Sequence, residues 1–146
     1  MFVDALTRVS NGQQVTADAV STNDIDMGNV TPKRNVPVGE PMAYCVAITA
    51  VGTNTGSAKI QAIQSATAGL GSGTVILGEV DLVTANLVAG QIILVPCGFG
   101  PAPLRYHGLN FDITGTVDFT VTAWFGPWAM MAAQASAYAK GYTITG

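Results

Sequence analysis

Charged residues are scarce in this chain. Only 10% of its 146 residues are Asp, Glu, Lys or Arg, whereas a typical soluble domain has about 25%. A free monomer usually keeps its surface hydrated with such side chains, so we expect much of this surface to be covered in an assembly. No basic stripe is visible either, and the sequence therefore predicts no binding to nucleic acid. The six cationic residues are scattered: Arg8, Lys33, Arg34, Lys59, Arg105 and Lys140.

Long hydrophobic runs are also missing. No apolar stretch approaches the ~20 residues that a membrane-spanning helix needs, so we expect no membrane partner. The start, MFVDALTRVS, has no cationic segment followed by an apolar core, which a secretory signal would require. Only two cysteines are present, and both Cys45 and Cys97 lie in apolar runs. We interpret them as two buried free thiols in a reducing compartment, not as a disulfide.

Residues that could act as catalytic bases are nearly absent. His107 is the only histidine, and no G-x-S-x-G elbow accompanies it. A Cys–His pair stays open from sequence, because its members need only meet in space. On its predicted strand, however, His107 shares a face with Leu109 and Phe111. We therefore interpret it as a hydrogen-bonded structural histidine.

Motifs for metal or anion binding are incomplete. Asp24 and Asp26 alternate as calcium ligands do, but the twelve-residue loop with its terminal Glu is lacking. Glu79 and Asp81 share a strand face without the second acidic strand that a glycosidase would need. The glycine-rich stretch 69–73 leads into a strand and has no phosphate-binding Lys. The sequence therefore predicts no catalytic residue, no cofactor and no metal site, and we expect a protein that is not an enzyme.

The chain does have many short segments in which apolar and polar or large and small residues alternate. These segments are rich in β-branched residues and are separated by turn residues. Met42–Val51 (MAYCVAITAV) has large side chains at even positions and small ones at odd positions, which predicts a strand covered on both faces. In Thr116–Phe125 the odd positions predict a core face, and Trp124 stands on the other, polar face. About eight strands are predicted in all, which favours an antiparallel β-sandwich of jelly-roll type. The other predicted strands are Gln14–Val20, Ala58–Ala66, Thr74–Leu82, Leu87–Val95 and Leu104–Thr114.

The two ends differ from the middle of the chain. We predict an N-terminal arm over residues 1–12, a β-sandwich domain over 13–126 and a C-terminal tail over 127–146, with the arms extended or short-helical. The apolar side chains of the ends are too many for one small core. Aromatic and Met residues are enriched at the centres of protein interfaces. The predicted interface residues are Phe2, Val3, Leu6, Trp124, Trp128, Met130, Met131, Tyr138 and Tyr142.

Three segments resemble one protein family. Phe2–Ser10 (FVDALTRVS), Gln13–Gly28 (QQVTADAVSTNDIDMG) and Leu104–Phe125 (LRYHGLNFDITGTVDFTVTAWF) are similar to the corresponding ends of jelly-roll capsid cement proteins of tailed bacteriophages. The resemblance covers both ends of the domain, and the middle is similar only in its strand rhythm. It implies a small β-sandwich that oligomerises on the outside of an icosahedral head and clamps neighbouring major capsid subunits.

We therefore expect a structural virion protein on the outer capsid surface, assembled in the host cytoplasm. Its expected partners are the major capsid protein and other copies of itself, as a homodimer or homotrimer. The alternative is a carbohydrate- or receptor-binding β-sandwich module. That alternative needs several exposed aromatic side chains on one face, and Trp124 is the single candidate inside the predicted sandwich.

Overall fold

The computed structural model of the protein describes residues 5–29, 41–98, 100 and 102–139. Strands dominate this part of the chain, with three short 3-10 turns at Ala5–Thr7, Ala68–Leu70 and Thr84–Asn86. One helix, α1, follows the last strand over Trp128–Ala139. The strands are β1 (Arg8–Val15), β2 (Ala19–Val20), β3 (Ile25–Asp26), β4 (Met42–Val51), β5 (Ser57–Ser65), β6 (Val75–Leu82), β7 (Ile92–Cys97), β8 (Tyr106–Thr114) and β9 (Phe119–Pro127).

The strands form two antiparallel sheets packed as a sandwich. The first sheet has the order β1-β9-β4-β7, and the second has the order β2-β8-β5-β6, with the short β3 also paired to β8. When β2 and β3 are counted as one broken edge strand, each sheet has four strands. Apart from the β5–β6 hairpin, neighbouring strands of each sheet are not consecutive in the chain, as in an eight-stranded jelly roll. The predicted antiparallel β-sandwich is confirmed.

Side-chain alternation in β4 explains its central position. Tyr44, Val46 and Ile48 are buried in the core between the sheets. Ala43 and Cys45, on the opposite face, belong to a second buried cluster beneath α1. The prediction of a strand covered on both faces is therefore confirmed for residues 43–48, whereas residues 49–51 are exposed.

The register of β9 also agrees with its sequence pattern. Phe119, Val121 and Ala123 are fully buried in the core, where the ring of Phe119 meets that of Phe111 edge-on at 6.4 Å between centroids. Trp124 lies on the outer face, as predicted. Trp124 is therefore available to whatever covers the first sheet.

Most predicted strands begin and end within three residues of the observed ones, and two depart further. The predicted strand Gln14–Val20 is divided, because β1 ends at Val15 in one sheet and β2 begins at Ala19 in the other. β1 begins at Arg8, so residues 8–12 of the predicted arm lie in the sandwich. Gly12, with a φ of 62°, lies where the β1–β9 register shifts. This β-bulge interrupts the alternation of buried and exposed side chains along β1, so the sequence pattern does not reveal the start of the strand.

The predicted strand Leu87–Val95 begins too early. β7 covers Ile92–Cys97, and the preceding segment contains a 3-10 turn and Gly90 at a φ of 89°. Glycine adopts this left-handed conformation without steric cost, so the chain turns there instead of extending.

Candidate interaction surface

Helix α1 covers part of the outer face of the first sheet. Its sequence, WAMMAAQASAYA, is rich in strong helix formers and begins directly after Pro127, the last residue of β9. The backbone N–H of Trp128 donates a hydrogen bond of 2.8 Å to the Pro41 carbonyl just before β4. The C-terminal tail, predicted as either helical or extended, is thus helical over these residues and tied to the sheet.

Met131 holds the helix against the sheet. Its side chain is only 3% exposed and packs with Ala43 and Cys45 of β4. The end of the Met131 side chain lies close to Gly126, since a Cβ added there would be 2.8 Å from the Met131 Cε. Burying such a side chain contributes about 1.5–3 kcal/mol. Partly buried apolar residues complete this cluster: Ile92, Leu94 and Trp124.

The described side chains on the outward side of α1, at residues 128–133, are apolar as well. Trp128 is 40% exposed and Met130 is 45% exposed, and the helix sequence contains no charged residue. A surface helix normally presents a charged or polar stripe to water. An uncharged helix with large apolar side chains on its outer side is typical of a surface that another protein covers.

One row of side chains crosses the first sheet beside the helix. Arg8 pairs with Trp124, Trp124 pairs with Cys45, and Cys45 pairs with Leu94 in the strand register. Arg8 is the only charged residue in the four strands of this sheet and α1. Its Nε is buried and has no hydrogen-bond partner among the described residues. We call the outer side of the first sheet, together with α1, the apolar face.

The second sheet presents a charged outer side. The Lys59 ammonium lies 3.7 Å from a Glu79 carboxylate oxygen and 3.5 Å from an Asp81 carboxylate oxygen. Asp112 is the register partner of Lys59 on the other neighbouring strand. Asp81 first, and Glu79 second, raise the pKa of Lys59. Exposed ion pairs of this kind add little stability, but they keep this side of the sandwich hydrated.

The structure brings several of the predicted interface residues together. Trp124, Trp128, Met130 and Met131 all belong to the apolar face, and Met131 is used within the chain itself. Leu6 is 82% exposed in the 3-10 turn before β1. Tyr138 lies in α1, with its side chain outside the described part of the protein. Phe2, Val3 and Tyr142 lie outside the described residues.

Sequence reasoning missed other members of the apolar face. Arg8, Ala43 and Leu94 come from three strands that are far apart in the chain, and only the sheet register places them in one patch. The small odd positions of β4 were the available signal. They predicted that this side of the strand is covered, but not by which segment.

His107 and the two cysteine thiols are buried in the folded protein. His107 is 1% exposed, and its Nε2 lies 3.2 Å from the Leu104 carbonyl oxygen. Burial lowers the pKa of His107, so its ring is held neutral. Cys45 and Cys97 are buried and free, and burial raises the pKa of each thiol to about 11. The predictions of a structural histidine and of free buried thiols are confirmed.

The paired aspartates are used in loop structure. Asp26 accepts two hydrogen bonds of 2.7 Å from the Arg105 guanidinium, which together with the Gly28 N–H lower its pKa to about 2. Asp24 accepts a hydrogen bond of 2.6 Å from the Gly69 N–H beside an open cleft of about 270 Å³ lined by Ser21–Asp24, Ala68 and Gly69. In the described part of the chain, no group of three or more His, Cys, Asp and Glu residues could hold a metal ion.

Comparison with protein families gives one result that bears on this surface. The family model Bbp16 matches residues 9–123, which is most of the chain. The chain belongs to the Bbp16 family. The match runs from β1 into β9, so the family pattern covers the sandwich of this Bbp16-family protein and stops just before Trp124 and α1. A search of the curated proteins gave no match. Among the described residues, no helix is long and apolar enough to cross a membrane.

Proposed function

We propose that this protein is a structural virion protein that binds the outer surface of an icosahedral phage capsid and cements neighbouring major capsid subunits. The observation that carries the proposal is the contrast between the two sides of the sandwich. One side has exposed Trp128 and Met130 and a single charge, and the other has three carboxylates around Lys59. A cement protein needs one adhesive side and one hydrated side.

Family membership supports the same class of function. The Bbp16 match is consistent with a phage-type structural protein. The resemblance of Phe2–Ser10, Gln13–Gly28 and Leu104–Phe125 to capsid cement proteins points in the same direction. In the described residues, the buried His107 and both buried thiols offer no reactive group that would favour catalysis.

The energetics suit repeated weak attachment. Trp128 and Met130 are each about half exposed, so burying the rest of each side chain contributes on the order of 1 kcal/mol. A single contact of this size is weak. Many copies attached to one closed shell gain avidity, provided that the geometry allows simultaneous contacts.

A shell-binding experiment tests the proposal. Empty heads of the phage that encodes this chain, prepared without it, are incubated with purified protein and sedimented, and their rupture temperature is measured. We expect the protein to co-sediment and to raise the rupture temperature. A Trp128→Ser, Met130→Ser double variant should fold normally, with binding reduced about tenfold or more, because it removes the exposed apolar surface.

The matched control is Ile76→Ser. Ile76 is 52% exposed in β6 of the second sheet, so its substitution should leave binding unchanged. If full-length protein neither sediments with the shells nor shifts their rupture temperature, the proposed function is wrong.

The glycan-binding alternative has less support. Trp124 is partly buried beside Met131 and is not a free stacking platform. The cleft beside Asp24 is polar and has no aromatic residue in its lining. A glycan array with wild-type protein decides this alternative, and strong binding to one sugar class would favour it.

A further inference from the structure

We propose that Asn11 and Gly12 form a site of spontaneous covalent modification, at which the Asn11 amide becomes a carboxylate in the folded protein. The Gly12 backbone nitrogen attacks the Asn11 Cγ, so that a new C–N bond forms while the Cγ–Nδ2 bond breaks. The side-chain nitrogen leaves as ammonia with the proton that the Gly12 nitrogen loses. Water then opens the succinimide ring at either carbonyl carbon, which gives aspartate or isoaspartate at position 11. The reaction needs no reagent besides water, and it does not depend on the proposed function.

The local backbone permits this reaction. Asn11 and Gly12 lie in the β-bulge of β1, where the register with β9 shifts between Ser10 and Gln13. Neither residue has a register partner on β9, and both are exposed. Gly12 has a φ of 62°, and a Cβ added to it would meet nothing within 4 Å. The bulge therefore gives Asn11 more room to rotate towards the Gly12 nitrogen than a residue paired in the ladder has.

The other asparagines of the chain are less suited to ring closure. Asparagine is among the thermolabile residues of proteins, but Asn11 is the only one in this chain that glycine follows. Glycine has no side chain that would hinder the attack. The Asn54 amide is fixed by hydrogen bonds to the backbone N–H and carbonyl of Asp118. The Asn110 amide donates a hydrogen bond of 2.7 Å to the Gln61 Oε1.

Thr122 controls the rate of the reaction. The backbone N–H of Gly12 donates a hydrogen bond of 3.1 Å to the Thr122 Oγ1 on the neighbouring strand β9. That hydrogen bond must break before the Gly12 nitrogen can lose its proton and approach the Asn11 Cγ. The folded protein should therefore react more slowly than the unfolded chain, and removal of the Thr122 hydroxyl should accelerate the reaction in the folded protein alone.

The product changes the charge of the first sheet. The four strands of this sheet and α1 contain no acidic residue, and Arg8 is their only charged residue. Conversion of Asn11 would add a carboxylate to β1, the edge strand that also contains Arg8. The formal net charge of −3 would become one unit more negative, so the modified protein can be separated by anion exchange.

The test follows purified full-length protein during incubation at mildly alkaline pH. Samples are separated by anion exchange and mapped by peptide mass. We expect a more acidic species that is changed at Asn11 and unchanged at Asn54 and Asn110. A sample at mildly acidic pH should convert much more slowly, because the attacking nitrogen must lose its proton. Thr122→Val should convert about fivefold faster than the wild type in the native state, which is the factor that loss of one ordinary hydrogen bond gives.

Matched variants separate the hydrogen bond from other effects. Thr122→Ser keeps the hydroxyl group and should convert at the wild-type rate, whereas a general loosening of β9 would accelerate both variants. In denaturant, Thr122→Val and the wild type should convert equally fast. Asn11→Gln should give no acidic species at this position, because its longer side chain closes a ring much more slowly. If Thr122→Val does not fold, the rates of native and denatured wild type decide whether the site reacts.

Two results would contradict the inference. Asn11 that stays intact in the native protein through several half-times of the denatured protein would show that the bulge does not permit the reaction. Equal native rates for Thr122→Val and the wild type would overturn the control by Thr122. Neither result bears on shell binding, so failure of this inference is distinguishable from failure of the proposed function.

Discussion

His107 shows how one buried side chain couples the fold to pH. Its register partners are Ile25 on β3 and Gln64 on β5, so no charged residue is paired with it. Its Nδ1 is buried without a hydrogen-bond partner among the described residues. A proton added to that nitrogen would place a charge in an apolar site, and burial accordingly lowers the pKa of His107 below its usual 6.5.

We therefore predict that the free energy of unfolding decreases as the pH falls below about 6.5. In that range the unfolded chain binds a proton that the folded chain does not, so acid favours unfolding. The measurement is the thermal midpoint at pH 8 and at pH 5.5. His107→Gln should remove most of the difference, and an equal pH dependence in the variant would assign it to other groups.

Asp26 gives a second pH effect in a separate range. Its pKa is lowered to about 2 from 3.8 by Arg105, so the stability that this pair adds is present above about pH 4 and is lost as the pH falls towards 2. Asp26→Asn should flatten the acid limb of the stability curve below pH 4 without changing the limb near pH 6. Ile25 pairs with His107 and Asp26 with Tyr106, so the two groups lie close together, and the Asp26→Asn, His107→Gln double variant measures any coupling between them.

At the scale of elements, two adjacent methionines of α1 have different surroundings. Met131 is 3% exposed and Met130 is 45% exposed. We predict that Met131→Ala lowers the free energy of unfolding by about 2–4 kcal/mol, as large-to-small core changes do. Met130→Ala should change stability by less than about 0.5 kcal/mol but weaken shell binding. Chemical denaturation of both variants measures the difference, and equal effects would contradict the observed docking of the helix.

The two thiols report on α1 and on the sandwich separately. Cys45 lies in the cluster beneath α1, whereas Cys97 belongs to the core between the sheets. A thiol reagent should modify neither in the native protein and both after denaturation. In Met131→Ala the Cys45 thiol should react much faster while Cys97 stays protected. Simultaneous modification of both would mean that the helix and the sandwich open together.

How well each element could be predicted depended on how local its determinants are. The bounds of β4 and the register of β9 follow from strict alternation, which one segment contains in full. β1 and β7 were misjudged because their ends depend on the left-handed glycines Gly12 and Gly90, whose conformation the sequence pattern does not reveal. The helix was one of two predictions for the tail, since its docking depends on the small residues of β4 and β9.

At the scale of the whole molecule, strand order decides which residues share a surface. No sequence pattern showed that Arg8, Trp124, Cys45 and Leu94 form one row, because that row needs three strand pairings between distant segments. The low content of charged residues predicted that part of the surface is covered. Only the strand order of the fold shows where that part lies. The candidate site was therefore half predictable: its aromatic and Met residues were identified, but its charged member was not.

The apolar face also leads us to predict self-association. At micromolar concentration the protein should sediment as a dimer or trimer, because exposed Trp128 and Met130 favour burial even in the absence of shells. Sedimentation velocity measures this, and the Trp128→Ser, Met130→Ser variant should shift the species towards monomer. A wild-type monomer at all concentrations would contradict this prediction.

The pairing of β1 with β9 has a practical consequence for display of foreign peptides. Because the first strand lies beside the last one and α1 lies on the same sheet, a peptide fused near residue 8 would start beside the apolar face. The hairpin between β5 and β6 belongs to the other sheet, and side-chain atoms added at Gly71 or Gly73 would meet nothing within 4 Å. Under the proposed function, we expect an antigen inserted at that hairpin to leave the apolar face unobstructed.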